Sequence, residues 1–451
     1  MDQAFLAGYA RVDANPAYGT PVSGYYIERK VEGVLDNLQV VAVYLKYKEE
    51  NALIISVDHC GLTKSDVANA MKEITDILDI KEQSIFIHST HTHTAAGPSL
   101  TYGENDELYI EYKKDLFKKI ALCAVLSYQD LKPAKMGYAV GEAKRVAFVR
   151  RFRMKDGSIQ TNPGVNNPNI LAPIGDVDER VNVLRIDREN APTIVLANFG
   201  NHPDTVGGSK ISADWPGFTR KFVEQAIENT KCIFINGAQG DVNHVNVHPT
   251  KGDFNDMFND FDGCSRGYGH ARHIGRVVAG AVMQVYDKVN YVDVDCLKSV
   301  KKLVKIPAHK ATEEQLVTAR KYDELHRADK DDQIPFKGMM LTTVVAEAER
   351  MLRLENGPDY FELTMSGIRI GNAYLIGFPG EPFTGIGRAT KEILDGAFIL
   401  PCCTVNDCAG YFPTKDAYDE GGYESRASDF APSVAEKIYS SAKEVVEELN
   451  K

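Results

Sequence analysis

Short apolar segments rich in β-branched residues alternate along this chain with segments of helical period, and this alternation constrains the fold more than any other feature. Residues 38–47 and 52–57 are apolar and β-branched, as expected of buried strands. Residues 63–78 follow with apolar side chains at helical spacing, and strand 85–87 and helix 107–128 repeat the order. The sequence therefore predicts an α/β fold, with a mixed β-sheet core flanked by helices and a site at strand ends.

Composition and charge exclude several classes of protein. With 451 residues, of which 43% are hydrophobic, the chain can bury a sizeable core, and we expect residues 1–451 to form a single large domain. The net charge of −11 disfavours nucleic acid as a partner, because phosphate would be repelled. No signal peptide or integral membrane segment is predicted. The eight cysteines form no Cys-x-x-Cys pair, which suggests reduced thiols and a cytoplasmic protein.

Two histidines stand at the end of the strand that begins at Ile85. The strand leads into Thr90-His91-Thr92-His93-Thr94, a polar segment at the start of a loop. Because side chains alternate in an extended chain, His91 and His93 share one face. Two neutral imidazoles on one face can both bind a metal, or one can bind it while the other handles protons. A satisfied polar turn is the alternative interpretation of this segment.

Three later strands also end in side chains that can bind a metal or move protons. They are His202, Asp241 and Glu381, each close to a Gly or Pro. Asp241 is a candidate catalytic residue because it could orient a ligand imidazole or a water, although a turn Asp that bonds its own backbone fits equally well. Four such strand ends suggest one composite site. Zinc held by two imidazoles and a carboxylate, with a position left for water, is the simplest chemistry for it.

An arginine-rich strand end precedes a long segment of irregular composition. Residues 134–149 predict a strand that ends at Val149-Arg150-Arg151-Phe152-Arg153. The chain from there to about residue 193 is rich in Asn, Pro, Gly and Asp, which predicts an irregular segment of the kind that often carries function. The arginines could hold a substrate carbonyl or carboxylate, or they could form a solvated charge run.

Taken together, these segments resemble the N-terminal catalytic domain of the neutral/alkaline (non-lysosomal) ceramidase family. The order and approximate spacing of the motifs match over nearly the whole chain, which is far more specific than any single motif. The motifs are Thr90-His91-Thr92-His93-Thr94-Ala95-Ala96-Gly97-Pro98, His202-Pro203, Gly240-Asp241-Val242, Pro379-Gly380-Glu381 and the loop over residues 406–423.

The resemblance implies a zinc site and a set of catalytic groups. The implied Zn²⁺ ligands are His91, His202, Glu381 and Tyr411. The implied catalytic residues are His93, which would take part in proton transfer beside the metal, and Arg150 and Tyr423, which would contact the scissile carbonyl or its oxyanion.

The sequence departs from the family in two respects. Ceramidases carry a Ser followed by Pro directly after Gly-Asp-Val, whereas this chain has Asn243 followed by His244, so the family hydroxyl is missing. Because the last residues predict a terminal helix, we also expect no counterpart of the C-terminal β-sandwich domain of the family. These differences suggest a divergent, bacterial-type member in which water attacks directly, because Asn243 cannot act as a nucleophile.

We therefore expect a zinc-dependent hydrolase that cleaves a linear amide (N-acyl) bond of a small-molecule or lipid-like substrate with a metal-activated water. A zinc hydrolase of a small non-lipid amide or ester is the first alternative. The second alternative is a non-catalytic metal- or ligand-binding protein on the same scaffold. The missing hydroxyl at Asn243 favours this second alternative, and the retention of His93 opposes it.

Overall fold

Strands and helices alternate through the computed structural model, which describes residues 4–98, 103–254, 258–259 and 265–451. The fold is mixed α/β, as the sequence predicts. Its described strands are β1 Leu6–Asp13, β2 Gly33–Val34, β3 Gln39–Tyr47, β4 Glu50–Val57, β5 Ile85–Ser89, β6 Lys132–Glu142, β7 Phe148–Val149, β8 Arg151–Met154, β9 Ile159–Thr161, β10 Ile170–Pro173, β11 Arg180–Arg188, β12 Thr193–Phe199, β13 Lys210–Ile211, β14 Thr230–Asn236, β15 Val242–Asn243, β16 Phe258–Asn259, β17 Ser265–Arg266, β18 Asn290–Val292, β19 Leu297–Pro307, β20 Tyr360–Ile370, β21 Ala373–Gly377, β22 Glu381–Pro382, β23 Phe398–Cys402 and β24 Tyr411–Phe412.

The helices predicted over residues 63–78 and 107–128 are present, at Lys64–Thr75 and Glu107–Gln129. Thr63 caps the first of them with a capping box to Asp66. The described α-helices are α1 Lys64–Thr75, α2 Glu107–Gln129, α3 Asp214–Ala226, α4 Tyr268–Val285, α5 Glu313–Arg327, α6 Met339–Glu355, α7 Thr384–Lys391, α8 Lys415–Glu420, α9 Tyr423–Ala427 and α10 Val434–Leu449, with short 3₁₀ helices at Glu82–Ser84, Lys251–Phe254, Tyr286–Lys288 and Asp331–Gln333.

The largest sheet curls until its two edges meet. Its strand order is β14-β12-β11-β6-β1-β3-β4-β5, with β18 beside β6. The Ser56 hydroxyl on β4 donates to the Phe234 carbonyl on β14 at 2.7 Å, and His88 Nε2 on β5 accepts from the Asn236 backbone N–H at 3.0 Å. Since β4 runs parallel to β5 and β12 parallel to β14, the curl brings the carboxyl ends of these strands together.

A second sheet, ordered β19-β20-β21-β23, packs against the large one. The main hydrophobic core lies between the two sheets and contains Val41, Ile54 and Phe86 from the first and Ile368 and Leu400 from the second. Helices α1 and α2, and separately α3 and α4, cover the outer face of the large sheet, while α7 and α10 cover the second sheet. The result is a mixed sheet core flanked by helices.

Beyond β23 the chain crosses to the end of β5. The Ser89 N–H donates to the Thr404 carbonyl at 3.2 Å, and the Asn406 N–H donates to the Ile87 carbonyl at 2.8 Å. The Asn406 side chain adds a bond from the Ile87 N–H at 2.9 Å. This crossing places the loop over residues 406–423 at the edge of the sheet where β5 and β12 end.

The prediction of an irregular segment up to residue 193 was wrong. The segment contains β9, β10 and β11, and β11 is an interior strand of the large sheet, paired with both β6 and β12. Its polar residues Asn182, Arg185 and Asp187 masked an apolar face, so composition alone suggested a loop. The predicted strand over residues 134–149 is also interrupted, because β6 ends at Glu142 before the short β7.

Two further expectations bear on the environment of the protein. In the part of the chain that the structure describes, no helix is long and apolar enough to cross a membrane. Seven cysteines are free thiols there, and Cys264 lies outside the described residues.

Candidate metal centre and active site

His91 occupies a strained turn just beyond β5. Its φ of 72° is a left-handed conformation that residues other than glycine adopt rarely. The His91 N–H donates to the His59 carbonyl at 2.9 Å, which fixes the turn. Nδ1 of the ring faces the Cys60 carbonyl at 2.5 Å, so this nitrogen carries the proton. The lone pair of Nε2 is therefore free to bind a metal, the arrangement typical of ligand histidines.

Three other side chains place donor atoms around His91 Nε2. His202 Nε2 lies 3.2 Å from it, His93 Nε2 3.3 Å and Glu381 Oε2 3.4 Å. Zinc–ligand bonds of about 2.1 Å in tetrahedral geometry put neighbouring donors roughly 3.4 Å apart, which these distances match. His91, His202 and Glu381 are buried and their donor atoms lie within 4.8 Å of one another. We call His91, His202 and Glu381 the donor group. Two imidazoles and a carboxylate in this arrangement fit a zinc ion.

Glu381 is held by a short parallel ladder and by an amide. It starts β22, which pairs with β24 so that Glu381 lies opposite Tyr411. Gly240 packs so closely beneath it that a Cβ at that position would lie 2.6 Å from the Glu381 carbonyl oxygen. Gln239 Nε2 donates to Glu381 Oε2 at 3.2 Å, and Gln239 Oε1 accepts from the Asn236 side chain. Gln239 therefore orients the carboxylate.

Arg150 connects the donor group to a buried acid. Its Nε donates to Glu424 Oε1 at 2.7 Å and its Nη2 donates to the Gly240 carbonyl at 2.8 Å. Its Nη1 lies 3.5 Å from His202 Nδ1, and its guanidinium carbon lies 5.4 Å from the centre of the Tyr411 ring. Burial alone would lower the pKa of Arg150, but Tyr411 and Glu424 raise it, so the group stays cationic.

Tyr423 presents a protonated phenol to the same space. Its hydroxyl lies 3.2 Å from the Tyr26 hydroxyl, and its ring centre lies 5.7 Å from that of Tyr411. The Tyr423 N–H donates to the Thr161 hydroxyl, which in turn donates to Glu424 Oε2 at 2.9 Å. Burial raises the pKa of Tyr423 to about 12, so the phenol keeps its proton at neutral pH and can donate a hydrogen bond.

His93 lies at the margin of the donor group. Its Nε2 approaches His91, whereas its Nδ1 is buried and has no hydrogen-bond partner among the residues described. Burial lowers the pKa of His93 well below its usual value, so the ring is neutral. Gly24, at φ 106°, packs against it, because a Cβ there would lie 2.7 Å from the ring. The ring therefore has a free nitrogen lone pair, although burial makes it a weaker base than an exposed histidine.

Asp241 and Asn243 support the surrounding backbone. Asp241 Oδ1 accepts from the Thr384 N–H at 2.7 Å and from the Thr384 hydroxyl at 2.8 Å, at the start of α7. This partner is neither a ligand imidazole nor the Asp241 turn itself. Asn243 Nδ2 donates to Asn162 Oδ1 at 3.1 Å. The predicted site residues that lie together are His91, His93, His202, Glu381, Arg150, Tyr411 and Tyr423. Asp241 neither belongs to the donor group nor lines the cavity beside it.

Three residues that support the site were not singled out from the sequence. They are Asp204, Gln239 and Glu424. Burial alone would raise the pKa of Asp204, but His244, whose Nδ1 lies 2.9 Å away, and Arg266 lower it well below its usual value. Each of the three follows or adjoins a motif residue in sequence, so polar residues beside the motifs were the available signal.

Cys60, His91 and His93 form a second group of donors within 4.8 Å of one another. It shares His91 with the first group. Burial raises the pKa of the Cys60 thiol to about 12, so the thiol is protonated. Of the two groups, His91, His202 and Glu381 provide the donors that match zinc with an open position.

The donor group opens into a cavity of about 190 Å³. The side chains of His93, Arg150, His202, Tyr411 and Tyr423 line its inner half. We call Ile27, His326, Asp331, Leu341 and Val345 its outer half. A neighbouring cavity of about 370 Å³ shares Asn162, Gly338 and Met339 with it.

Comparison with known proteins identifies the fold. Neutral ceramidase from Pseudomonas aeruginosa superposes with a TM-score of 0.73 over 100% of this chain and 75% of that chain, at 16% sequence identity. This chain has the neutral ceramidase fold. A ceramidase complexed with C2 superposes equally well, with a TM-score of 0.73, 14% identity and coverage of 100% and 76%. No family model and no curated protein matches the sequence. The fold that the motifs implied is confirmed.

Proposed function

We propose that this protein is a zinc-dependent hydrolase that cleaves an amide (N-acyl) bond with water. The observation that carries the proposal is the spacing of donors around His91 Nε2, 3.2 Å to His202 and 3.4 Å to Glu381, at the base of a cavity. His91, His202, Glu381 and Tyr411 would hold the ion. When bound, zinc would lower the pKa of a coordinated water towards about 7 and polarise the substrate carbonyl. The neutral ceramidase fold supports the choice of an amide.

Arg150, Tyr423 and His93 would supply the remaining catalytic functions. Arg150 is a fixed cation and Tyr423 a fixed phenol donor, so both can stabilise the negative charge that develops on the carbonyl oxygen. His93 is a neutral base, which would accept the proton of the attacking water. The hydroxyl adds to the acyl carbon, the C–N bond breaks, and His93 returns the proton to the leaving nitrogen. Asn243 is engaged with Asn162 and takes no part in the attack.

The size of the cavity favours a second candidate, hydrolysis of a small non-lipid amide or ester. Pockets for drug-sized ligands usually measure about 300–1,000 Å³. At about 190 Å³ the cavity is smaller than that, and the Asp331 carboxylate and the His326 ring make its outer half polar. A substrate with a short acyl group fits this space better than one with a long hydrocarbon chain.

Metal content and turnover test the proposal together. We expect about one zinc per chain in the purified protein, lost in Glu381→Ala and retained in the matched control Glu362→Ala, whose side chain is exposed on β20. Amides and esters with acyl groups of graded length would then separate the lipid from the non-lipid substrate. Zinc uptake without turnover of any of them would favour a metal-binding protein, and the absence of zinc uptake would overturn the proposal.

A further inference from the structure

Helices α5 and α6 supply much of the outer half of the cavity. His326 lies in the last turn of α5, and Asp331 lies in the 3₁₀ helix that follows. Leu341 and Val345 come from the first half of α6. Every one of these residues lines the same cavity as Arg150. The α5–α6 hairpin thus brings a polar pair and an apolar surface to the site.

The polar pair leaves one imidazole nitrogen unused. His326 Nδ1 lies 2.8 Å from Asp331 Oδ1, so Nδ1 carries a proton and donates a hydrogen bond to the carboxylate. In the neutral ring Nε2 is then a hydrogen-bond acceptor. It is buried without a hydrogen-bond partner in the ranges that the structure describes, and the side chain is only 11% exposed. A buried unpaired acceptor of this kind calls for a partner, and a ligand in the cavity can supply it.

The charges of the cavity decide which partner suits Nε2. Arg150 belongs to the inner half, where it bonds Glu424, and Arg266 faces Asp204, so neither arginine is paired with His326. The carboxylate of Asp331 stands directly behind His326. A ligand carboxylate would therefore be repelled, whereas a hydroxyl or an amine can donate a hydrogen bond to Nε2.

We propose that His326, oriented by Asp331, recognises a hydroxyl or amine of the substrate at a second point away from the scissile carbonyl. The protein would accordingly select short amides or esters that end in a hydrogen-bond donor. This inference rests on the proposed function, because it names the substrate class of the same site. His326 is then a specificity-determining residue.

Matched substrates test the inference. The probes are N-acyl p-nitroanilides of equal chain length whose acyl chain ends in a methyl, hydroxyl, ammonium or carboxylate group, together with N-acetyl amides that carry the same four ends on the amine side. The zinc-loaded wild type should prefer hydroxyl or ammonium over methyl by roughly threefold to tenfold, through KM, and carboxylate should be the poorest. His326→Ala should lose the preference, and His326→Gln, whose amide oxygen can accept a hydrogen bond, should regain part of it.

The control is His248→Ala, since His248 is exposed and lies outside the lining of the cavity. Asp331→Asn should weaken the preference against carboxylate. A wild type that cleaves these substrates without preference, or a preference that survives in His326→Ala, would overturn the inference while leaving the hydrolase intact.

Calorimetry with the free acids and amines of the same series separates the two proposals. If no amide or ester is cleaved but hydroxyl- or ammonium-ended compounds bind less tightly to His326→Ala than to wild type, the hydrolase fails and the recognition stands. If neither cleavage nor His326-dependent binding is observed, both fail.

Discussion

The inner and outer halves of the cavity are built in different ways. The inner half and the adjoining ligands His91 and Glu381 are positioned by backbone. His91 and His202 come shortly after β5 and β12, and Glu381 begins β22, where backbone hydrogen bonds fix their positions. The outer half consists of side chains on the α5–α6 hairpin and of Ile27, which is 47% exposed. The inner half is therefore specified by the sheet, whereas the outer half is specified by individual side chains.

This difference separates chemistry from substrate choice. Altering a donor in the inner half removes a ligand from a site that the whole curled sheet assembles. Altering a side chain in the outer half changes one contact with the substrate and leaves the sheet untouched. Substitutions can therefore show whether the two halves are independent.

The largest effect is expected from the two histidines that follow β5. His91→Ala should lose both metal and turnover, because it removes the donor common to all the short distances. His93→Ala should keep the metal and lose turnover by about 10²–10⁴-fold, the usual contribution of a general base. Elemental analysis and kinetics on one good amide measure both. Full turnover in His93→Ala would remove His93 from the mechanism.

Arg150→Met should lower kcat by about 10²–10³-fold with the metal retained, since it removes a donor to the oxyanion and leaves the ligands in place. Arg151→Met is the matched control, because Arg151 bonds Glu420 instead of the donor group. Turnover numbers and zinc content would be compared for the two variants. Equal losses in both would mean that the effect comes from the strand and not from the guanidinium of Arg150.

Gln239→Ala should weaken zinc binding by about 10–100-fold, as expected for a residue that orients a ligand through a hydrogen bond. Competition with a zinc chelator gives the affinity. Gln239→Glu tests the cause, because it keeps the shape but places a second carboxylate against Glu381. Unchanged zinc affinity in the alanine variant would show that the β22–β24 ladder alone positions Glu381.

In the outer half, Val345→Ala should raise KM by only about threefold to tenfold, because it removes two methyl groups from one wall of the cavity. Zinc content should not change. Steady-state kinetics at saturating zinc would measure KM and kcat separately. Loss of zinc in this variant would contradict the independence of the two halves.

A separate prediction concerns the stability of the fold in acid. Burial lowers the pKa of His88 to about 3 from an ordinary value of 6.5. The unfolded chain binds the extra proton first, so this group stabilises the fold above about pH 6.5 and the contribution is lost as pH falls towards 3. The slope is up to about 1.4 kcal/mol per pH unit. Urea unfolding between pH 7 and 4 should show a shallower slope for His88→Gln, whose amide can still accept from Asn236, than for the control His248→Gln.

The sequence revealed the inner half better than the outer one. His91, His202 and Glu381 were visible because a polar residue beside Gly or Pro at the end of an apolar strand is a local pattern. The curl that joins them is not local, since it depends on contacts such as that between Ser56 and β14. The second sheet was missed for the same reason, whereas β11 was missed because its polar residues masked an apolar face. His326 and Asp331 sit in a charged helical region that looks like an ordinary solvated face.

Because the large sheet curls, a bound ion would link segments that are far apart in the sequence. His91 and His202 are 111 residues apart and belong to strands near opposite edges of the sheet, and Glu381 arrives from beyond the second sheet. An ion that binds only the folded chain stabilises it by about 2.7 kcal/mol at a hundred times its dissociation constant. Folding and metal binding would then be coupled. Without the ion, the contact between β5 and β14 would depend on the hydrogen bonds of Ser56 and His88.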